Sequence, residues 1–231
     1  MAFNFQTFKT RALTALLFVV VMLLGLLWNF WSFVVLFTVI HFGCWYELVK
    51  LIKKIYAGKY LLYCLFGLIY ITMPVLMVID LYKIRTFNVY DTYFIIGKGL
   101  IPIVIIVSIW INDTMAYLVG SFIGKTPLTT ISPKKTWEGT IGGIVLSIAT
   151  IGISVYFITD FTGAAIYSMI AAVLSSIFGT LGDLFESKLK RMADVKDSGS
   201  FMPGHGGFLD RFDSLLFAVP AVWIYVQLFL K

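Results

Sequence analysis

Twelve acids and eighteen bases are the whole charge of this 231-residue chain, and the acids fall where they could hold a cation. Asp183 and Glu186 are three residues apart, as are Asp210 and Asp213; that spacing puts each pair on one face of a helix. Asp210 and Asp213 also suit a helix N-terminus, so part of their presence is explained by capping. Asp113 lies in the apolar run Val107 to Tyr117, and an ionisable group inside a span points to function. Carboxylates at Asp183, Asp210 and either Asp213 or Asp113 can converge at one membrane boundary. Oxygen ligands select hard cations, and Mg²⁺ takes one or two carboxylates together with substrate phosphates. Lys188, Lys190, Arg191, Lys196 and Arg211 stand beside them, with Asp197 and the glycine-rich stretch Pro203-Gly204-His205-Gly206-Gly207 between. Glycines there free backbone N–H groups for close approach to a ligand, and His205 can contact a phosphate or act as acid or base. A cation, a set of bases and a glycine-rich loop are the equipment for transfer at phosphorus.

A second polar stretch runs Ile131-Ser132-Pro133-Lys134-Lys135-Thr136-Trp137-Glu138-Gly139. Ser132 is a good N-cap and Pro133 a good first helical residue, which predicts a helix starting here. Lys134 and Lys135 would then oppose the helix dipole, a conflict that an anion bound at the N-terminus resolves.

The elements that must position these residues are membrane spans. Residues are 60% hydrophobic and only 13% charged, with a mean hydropathy of +0.93. Soluble domains carry about 25% charge, so a soluble globule is excluded, and so is a disordered chain. Seven all-α spans are expected, with six to eight admissible, near 12–28, 30–49, 60–80, 93–118, 136–159, 163–185 and 208–230. Pro102 is expected to interrupt the fourth. Arg11 to Trp28 reads as an uncleaved first span rather than a signal peptide. With the N-terminus inside, 14 Lys and Arg fall on the cytoplasmic side against 4 outside, a strong positive-inside bias. It places the loops 119–135 and 186–207 together on the cytoplasmic face. The basic pI, about 9.2, resides in short loops, and no nucleic-acid partner is expected. Cys44 and Cys64 lie in apolar stretches as packing residues, and His41 is read as a packed or interface residue within the second span. A single membrane domain, 1–231, accounts for the chain.

Ser187 to Asp213 resembles the signature of phosphatidate cytidylyltransferases, the CDP-diacylglycerol synthases. The likeness rests on Ser187, Leu189, Lys190, Arg191, Lys196, Asp197, Gly199, Pro203, His205, Gly206, Gly207, Phe208, Asp210, Arg211, Phe212 and Asp213. Met202 departs from the family's branched aliphatic or Phe. Asn112-Asp113-Thr114 with Ala116-Tyr117, and Ser132-Pro133-Lys134-Lys135-Thr136 with Glu138-Gly139, are similar too. The resemblance covers residues 105–231 as a catalytic half, whereas 1–90 matches only in character, and relatives tend to carry more N-terminal spans. It implies that CTP and phosphatidate give CDP-diacylglycerol and pyrophosphate, in a Mg²⁺-dependent reaction that admits a second cation such as K⁺. It implies a homodimer in a membrane (the inner membrane of a bacterial cell), with its active site facing the cytoplasm. By motif position it implies metal ligation by Asp183 and Asp210, and a catalytic role for these with Lys190, Arg191 and Arg211. Substrate contacts are expected from Asn112, Asp113, Ser132, Lys134, Lys135, Thr136, Glu138, Lys188, Lys196, Asp197, His205, Gly206, Gly207 and Asp213.

Two other functions use similar residues. A CTP-dependent polyprenol or phytol kinase would transfer the γ-phosphoryl to an alcohol, and the intact Ser187–Asp213 signature argues against it. An ion-coupled transporter would bind its ion at Asp113 and Asp183, but it would show related halves with broken helices near the midplane. CDP-alcohol phosphatidyltransferases carry a paired-aspartate motif that is absent here.

Overall fold

The computed structural model describes residues 5–84, 86–89, 92–95, 99–159, 162–201 and 206–230. The helices are α1 (Phe5–Leu27), α2 (Phe30–Tyr56), α3 (Tyr60–Cys64), α4 (Met73–Lys83), α5 (Leu100–Ile123), α6 (Trp137–Thr159), α7 (Thr162–Met192) and α8 (Leu209–Phe229). A short antiparallel hairpin, β1 (Thr86–Val89) and β2 (Thr92–Ile95), is paired from Thr86↔Ile95 to Val89↔Thr92. Among the described residues, five stretches are long and apolar enough to cross a bilayer: Phe30–Cys64, α5, α6, α7 and α8; Ala12–Leu27 is a shorter apolar helix. The chain is an all-α polytopic membrane protein.

Several span expectations are corrected. The stretch expected as one helix over 60–80 comprises α3, a π-type turn at Leu68–Thr72 and the first part of α4, and a 3₁₀ turn at Ala57–Lys59 precedes it. The Met73 N–H reaches back five residues to the Leu68 carbonyl, immediately before Pro74, which has no N–H to donate. Pro102 does not interrupt a helix. The hairpin occupies 86–95, and α5 starts at Leu100 after Gly99 at φ 74°. Pro102 therefore sits in the first turn, where its missing N–H has no helical partner to lose. α7 runs on to Met192, so Ser187 to Arg191 are helical rather than a loop.

The chain forms two compact units, one of residues 1–75 with 189–212, the other of 76–188 with 213–231. In the first, α2 buries Phe33, Phe37, Ile40, Cys44, Leu48 and Leu51, a stripe at helical spacing. Asn29 caps this helix in a reciprocal box with Ser32, satisfying N–H groups that the helix start leaves over. His41 is packed as expected: its Nε2 lies 3.0 Å from Thr72 Oγ1, which also accepts from Trp45 Nε1 at 2.9 Å.

In the second unit, α5 and α6 approach through small residues in steps of four. A Cβ on Gly139 would lie 2.5 Å from the Ala116 carbonyl oxygen, and one on Gly143 would lie 2.6 Å from that of Asn112. One turn on, Ser147 Oγ donates to the Ser108 carbonyl at 3.0 Å. This is the small-residue packing by which helices associate in lipid, where no hydrophobic effect drives them together. α7 buries a similar stripe of Ala, Ser, Gly and Thr. At Gly182 a Cβ would lie 2.5 Å from the Asp213 carbonyl oxygen, so this glycine lets α7 and α8 meet where their carboxylates are.

Candidate active site

In the second unit, Asp183, Glu186 and Asp213 each offer a carboxylate oxygen, and these oxygens all lie within 4.8 Å of one another. The i,i+3 spacing on α7 supplies the first two, and the close approach at Gly182 supplies the third. Glu186 and Asp213 are buried and Asp183 is half-buried. The Asp213 Oδ1 accepts from the Ser214 N–H at 2.6 Å. Lys135 Nζ donates to Asp183 Oδ2, and Ser187 Oγ approaches Asp183 Oδ1 at 3.4 Å. Like charges this close disfavour one another, and a cation beside them offsets that repulsion; Lys135 supplies one. The donor set also fits Mg²⁺, whose oxygen ligands, about 2.1 Å from the ion, stand about 3 to 4 Å apart.

Lys135 is delivered by a folded loop, not by a helix start, which corrects the expectation for Ser132 and Pro133. The Lys135 N–H bonds the Ser132 carbonyl at 3.1 Å, closing a turn with Pro133 at its second position. Leu128 N–H bonds the Lys135 carbonyl at 2.8 Å and Trp137 N–H the Thr126 carbonyl at 3.0 Å. These bonds hold 135 and 136 out of the helix. Thr136 is the cap instead, its Oγ1 accepting from the Gly139 N–H at 3.1 Å. The Glu138 carboxylate closes the loop by accepting from the N–H groups of Lys125 and Thr126, each at 3.2 Å. Lys134 and Lys135 therefore do not oppose a dipole from inside a first helical turn. Lys134 is exposed, and Lys135 points to a carboxylate. Asn112 is buried on α5 and its Nδ2 donates to Asp113 Oδ1 at 3.4 Å, while Asp113 is exposed.

In the first unit, Asp210 gathers a separate set. Its Oδ1 accepts from Lys190 Nζ at 2.7 Å, and its side chain is only 6% exposed. Its Oδ2 accepts from the N–H groups of Ser198 at 2.9 Å and Gly207 at 2.7 Å. Ser198 Oγ lies 2.9 Å from that oxygen and 2.6 Å from Glu47 Oε2. Arg191, Lys196, Asp197 and Arg211 are exposed, as is Lys188 in the second unit. Gly206 holds φ 85°, a conformation that glycine adopts without strain. His205 lies outside the described residues. Two functional candidates escaped the reading of the sequence. Glu186 was noted as a partner of Asp183 but not as a ligand. Glu47 was missed altogether, although it is the sole acid before Asp80 and stands in an apolar helix.

Comparison with known proteins identifies the family. The model of the cytidylyltransferase family matches residues 59–229. The chain belongs to that family. It is 48% identical over 124 residues to phosphatidate cytidylyltransferase of Bacillus subtilis (strain 168), a stretch covering 53% of this chain and 46% of that protein. Against phosphatidate cytidylyltransferase 4, chloroplastic, of Arabidopsis thaliana the identity is 49% over 122 residues, 52% of this chain and 30% of the relative. The Staphylococcus aureus (strain COL) phosphatidate cytidylyltransferase is 48% identical over 113 residues, 48% of this chain and 43% of its own. The matched stretch covers less than half of each relative. The family match contains the Lys135 loop, the Asp183 cluster and Asp210, and leaves Glu47 outside.

Proposed function

We propose that the protein is a phosphatidate cytidylyltransferase, forming CDP-diacylglycerol and pyrophosphate from CTP and phosphatidate in phospholipid biosynthesis. The observation that carries this reading is the Asp183, Glu186 and Asp213 cluster with Lys135 delivered to it, inside residues 59–229 that match the cytidylyltransferase family, in a chain 48% identical over 124 residues to an enzyme of that name. An oxygen of the lipid phosphate attacks the α-phosphorus of CTP, the bond to the bridging oxygen of the β-phosphate breaks, and pyrophosphate leaves. The nucleophile is already an anion, so neither a protein nucleophile nor a strong general base is needed. The barrier is bringing two polyanions together, and positioned positive charge lowers it.

Mg²⁺ is the proposed cofactor, with K⁺ as a second cation. Asp183 and Asp210 are the proposed metal-binding carboxylates, and the structure adds Glu186 and Asp213 as donors near Asp183. When bound, Mg²⁺ would neutralise phosphate charge and orient the triphosphate. The chain's own work is charge and orientation. Lys134, Lys135, Lys188, Lys190, Arg191, Lys196 and Arg211 offset the phosphates, and the Glu138-closed loop fixes where Lys135 points. Asn112, Asp113, Ser132, Thr136, Asp197, His205, Gly206 and Gly207 are proposed substrate contacts. The site is assigned to the cytoplasmic face on the Lys and Arg asymmetry of the loops, and the homodimer on family likeness.

Label position tests the reaction. CTP labelled at the α-phosphorus should mark the lipid product, and CTP labelled at the γ-phosphorus should not. The reverse pattern would establish the polyprenol kinase in its place.

A further inference from the structure

Glu47 is 3% exposed on the apolar helix α2, a position where an acid is costly unless its bonds are made. They are made to both ends of the glycine-rich stretch. Glu47 Oε1 accepts from the Phe208 N–H at 3.0 Å, and Oε2 accepts from the Leu209 N–H at 2.9 Å and Ser198 Oγ at 2.6 Å. Phe208 and Leu209 open α8, so Glu47 takes two N–H groups for which the helix itself has no acceptor. A Cβ on Gly199 or on Gly207 would overlap the Glu47 carboxylate. These two glycines are therefore small to admit Glu47. One turn earlier on α2, a Cβ on Gly43 would lie 2.5 Å from the Phe208 ring, so one face of α2 grips the segment twice.

The grip extends to Asp210. The Ser198 hydroxyl has one hydrogen and stands between two carboxylates, nearer Glu47 than Asp210. The Ser198 and Gly207 N–H groups, one from each gripped stretch, both donate to Asp210 Oδ2, and Asp210 in turn holds Lys190. From this we infer that Glu47 is a positioning residue of the nucleotidyl transfer, fixing the Asp210–Lys190 pair through Ser198 and the backbone on either side of the glycine-rich loop. The inference rests on the cytidylyltransferase reading above. It gives a role in the reaction to a residue outside the family match, 59–229.

The test is a double-mutant cycle on the purified full chain in detergent, with phosphatidate, Mg²⁺ and α-labelled CTP. Glu47→Gln puts an amide NH₂ where only acceptors fit. That variant and Ser198→Ala are each expected to lower kcat about 10- to 100-fold, since small displacements of a catalytic group have effects of that size. KM for CTP should hold within about twofold, and the double variant should be no worse than the poorer single, because both break one linkage. Wild-type kcat in folded Glu47→Gln, or effects that multiply in the double variant, overturn the inference. If Glu47→Gln does not fold, Gly207→Ala replaces it: kcat falls, and adding the shorter Glu47→Asp restores part of it. Absence of that rescue also overturns the inference. No labelled lipid from wild type sinks the cytidylyltransferase reading instead. Hydrogen exchange then decides the anchor: amides of 207–212 exchange faster in whichever of Glu47→Gln and Gly207→Ala folds, and unchanged exchange refutes it.

Discussion

Asp183 is the residue on which the proposed chemistry turns, because it belongs at once to an acidic cluster and to an ion pair with Lys135. Asp183→Asn keeps the shape and removes the charge. It should lower turnover about 100-fold or more, as expected when a group stabilising transition-state charge is lost, and raise the Mg²⁺ concentration for half-maximal rate. Lys135→Met removes a charge proposed to offset the phosphates and, with it, the counter-charge on Asp183. It should lower kcat while shifting the Mg²⁺ midpoint down, because the carboxylates lose an internal counter-charge. Steady-state rates over a Mg²⁺ titration separate the two. Asp183, Asp210 and Lys135 were legible in the sequence because charge in an apolar chain is conspicuous. Glu47 was not, since it stands alone and its partners, Ser198 and Leu209, are 151 and 162 residues away in sequence. From sequence, Gly207 reads as space for a ligand and Gly199 as a motif position, whereas the structure sets the Glu47 carboxylate against both.

At the scale of elements, the α5–α6 hairpin is held by its four-residue steps of small residues. Gly143→Val should push α5 away at Asn112 and destabilise the fold by about 1–3 kcal/mol, the usual range for overpacking, read as a lower melting temperature in detergent. Thr136→Ala deletes the α6 cap bond to Gly139 and should cost about 1 kcal/mol. The corresponding change at Ser132 should have little effect on helix stability, because Ser132 belongs to the preceding turn and not to the cap. The long apolar helices were legible because their length matches a bilayer. Their ends were not. The sequence is apolar on both sides of Pro74, so the π-type turn leaves no mark in it; Thr86, Asn88 and Thr92 interrupt the apolar pattern before Pro102 but do not announce paired strands. The start of α6 was hidden for another reason. Ser132-Pro133 is a sound local signal, but the backbone bonds from Leu128 and to Thr126 override it.

The whole molecule places charged chemistry on an apolar scaffold. Only 13% of its residues are charged, and the proposed reaction brings a soluble nucleotide to a bilayer lipid. A chelator should therefore abolish activity and Mg²⁺ restore it, with helical content by circular dichroism unchanged, since the backbone bonds within each helix involve no metal. The central claim is that carboxylate-held Mg²⁺ and this chain together transfer the nucleotidyl group of CTP to phosphatidate. The measurement that tests it most directly is the Mg²⁺-dependent appearance of α-label in lipid, with stoichiometric pyrophosphate, for wild type beside Asp183→Asn. Labelled CDP-diacylglycerol from wild type, and about a hundredth of it or less from the variant, is the expected result. Folded wild type that releases pyrophosphate without labelling lipid, or a variant as active as wild type, would contradict the account.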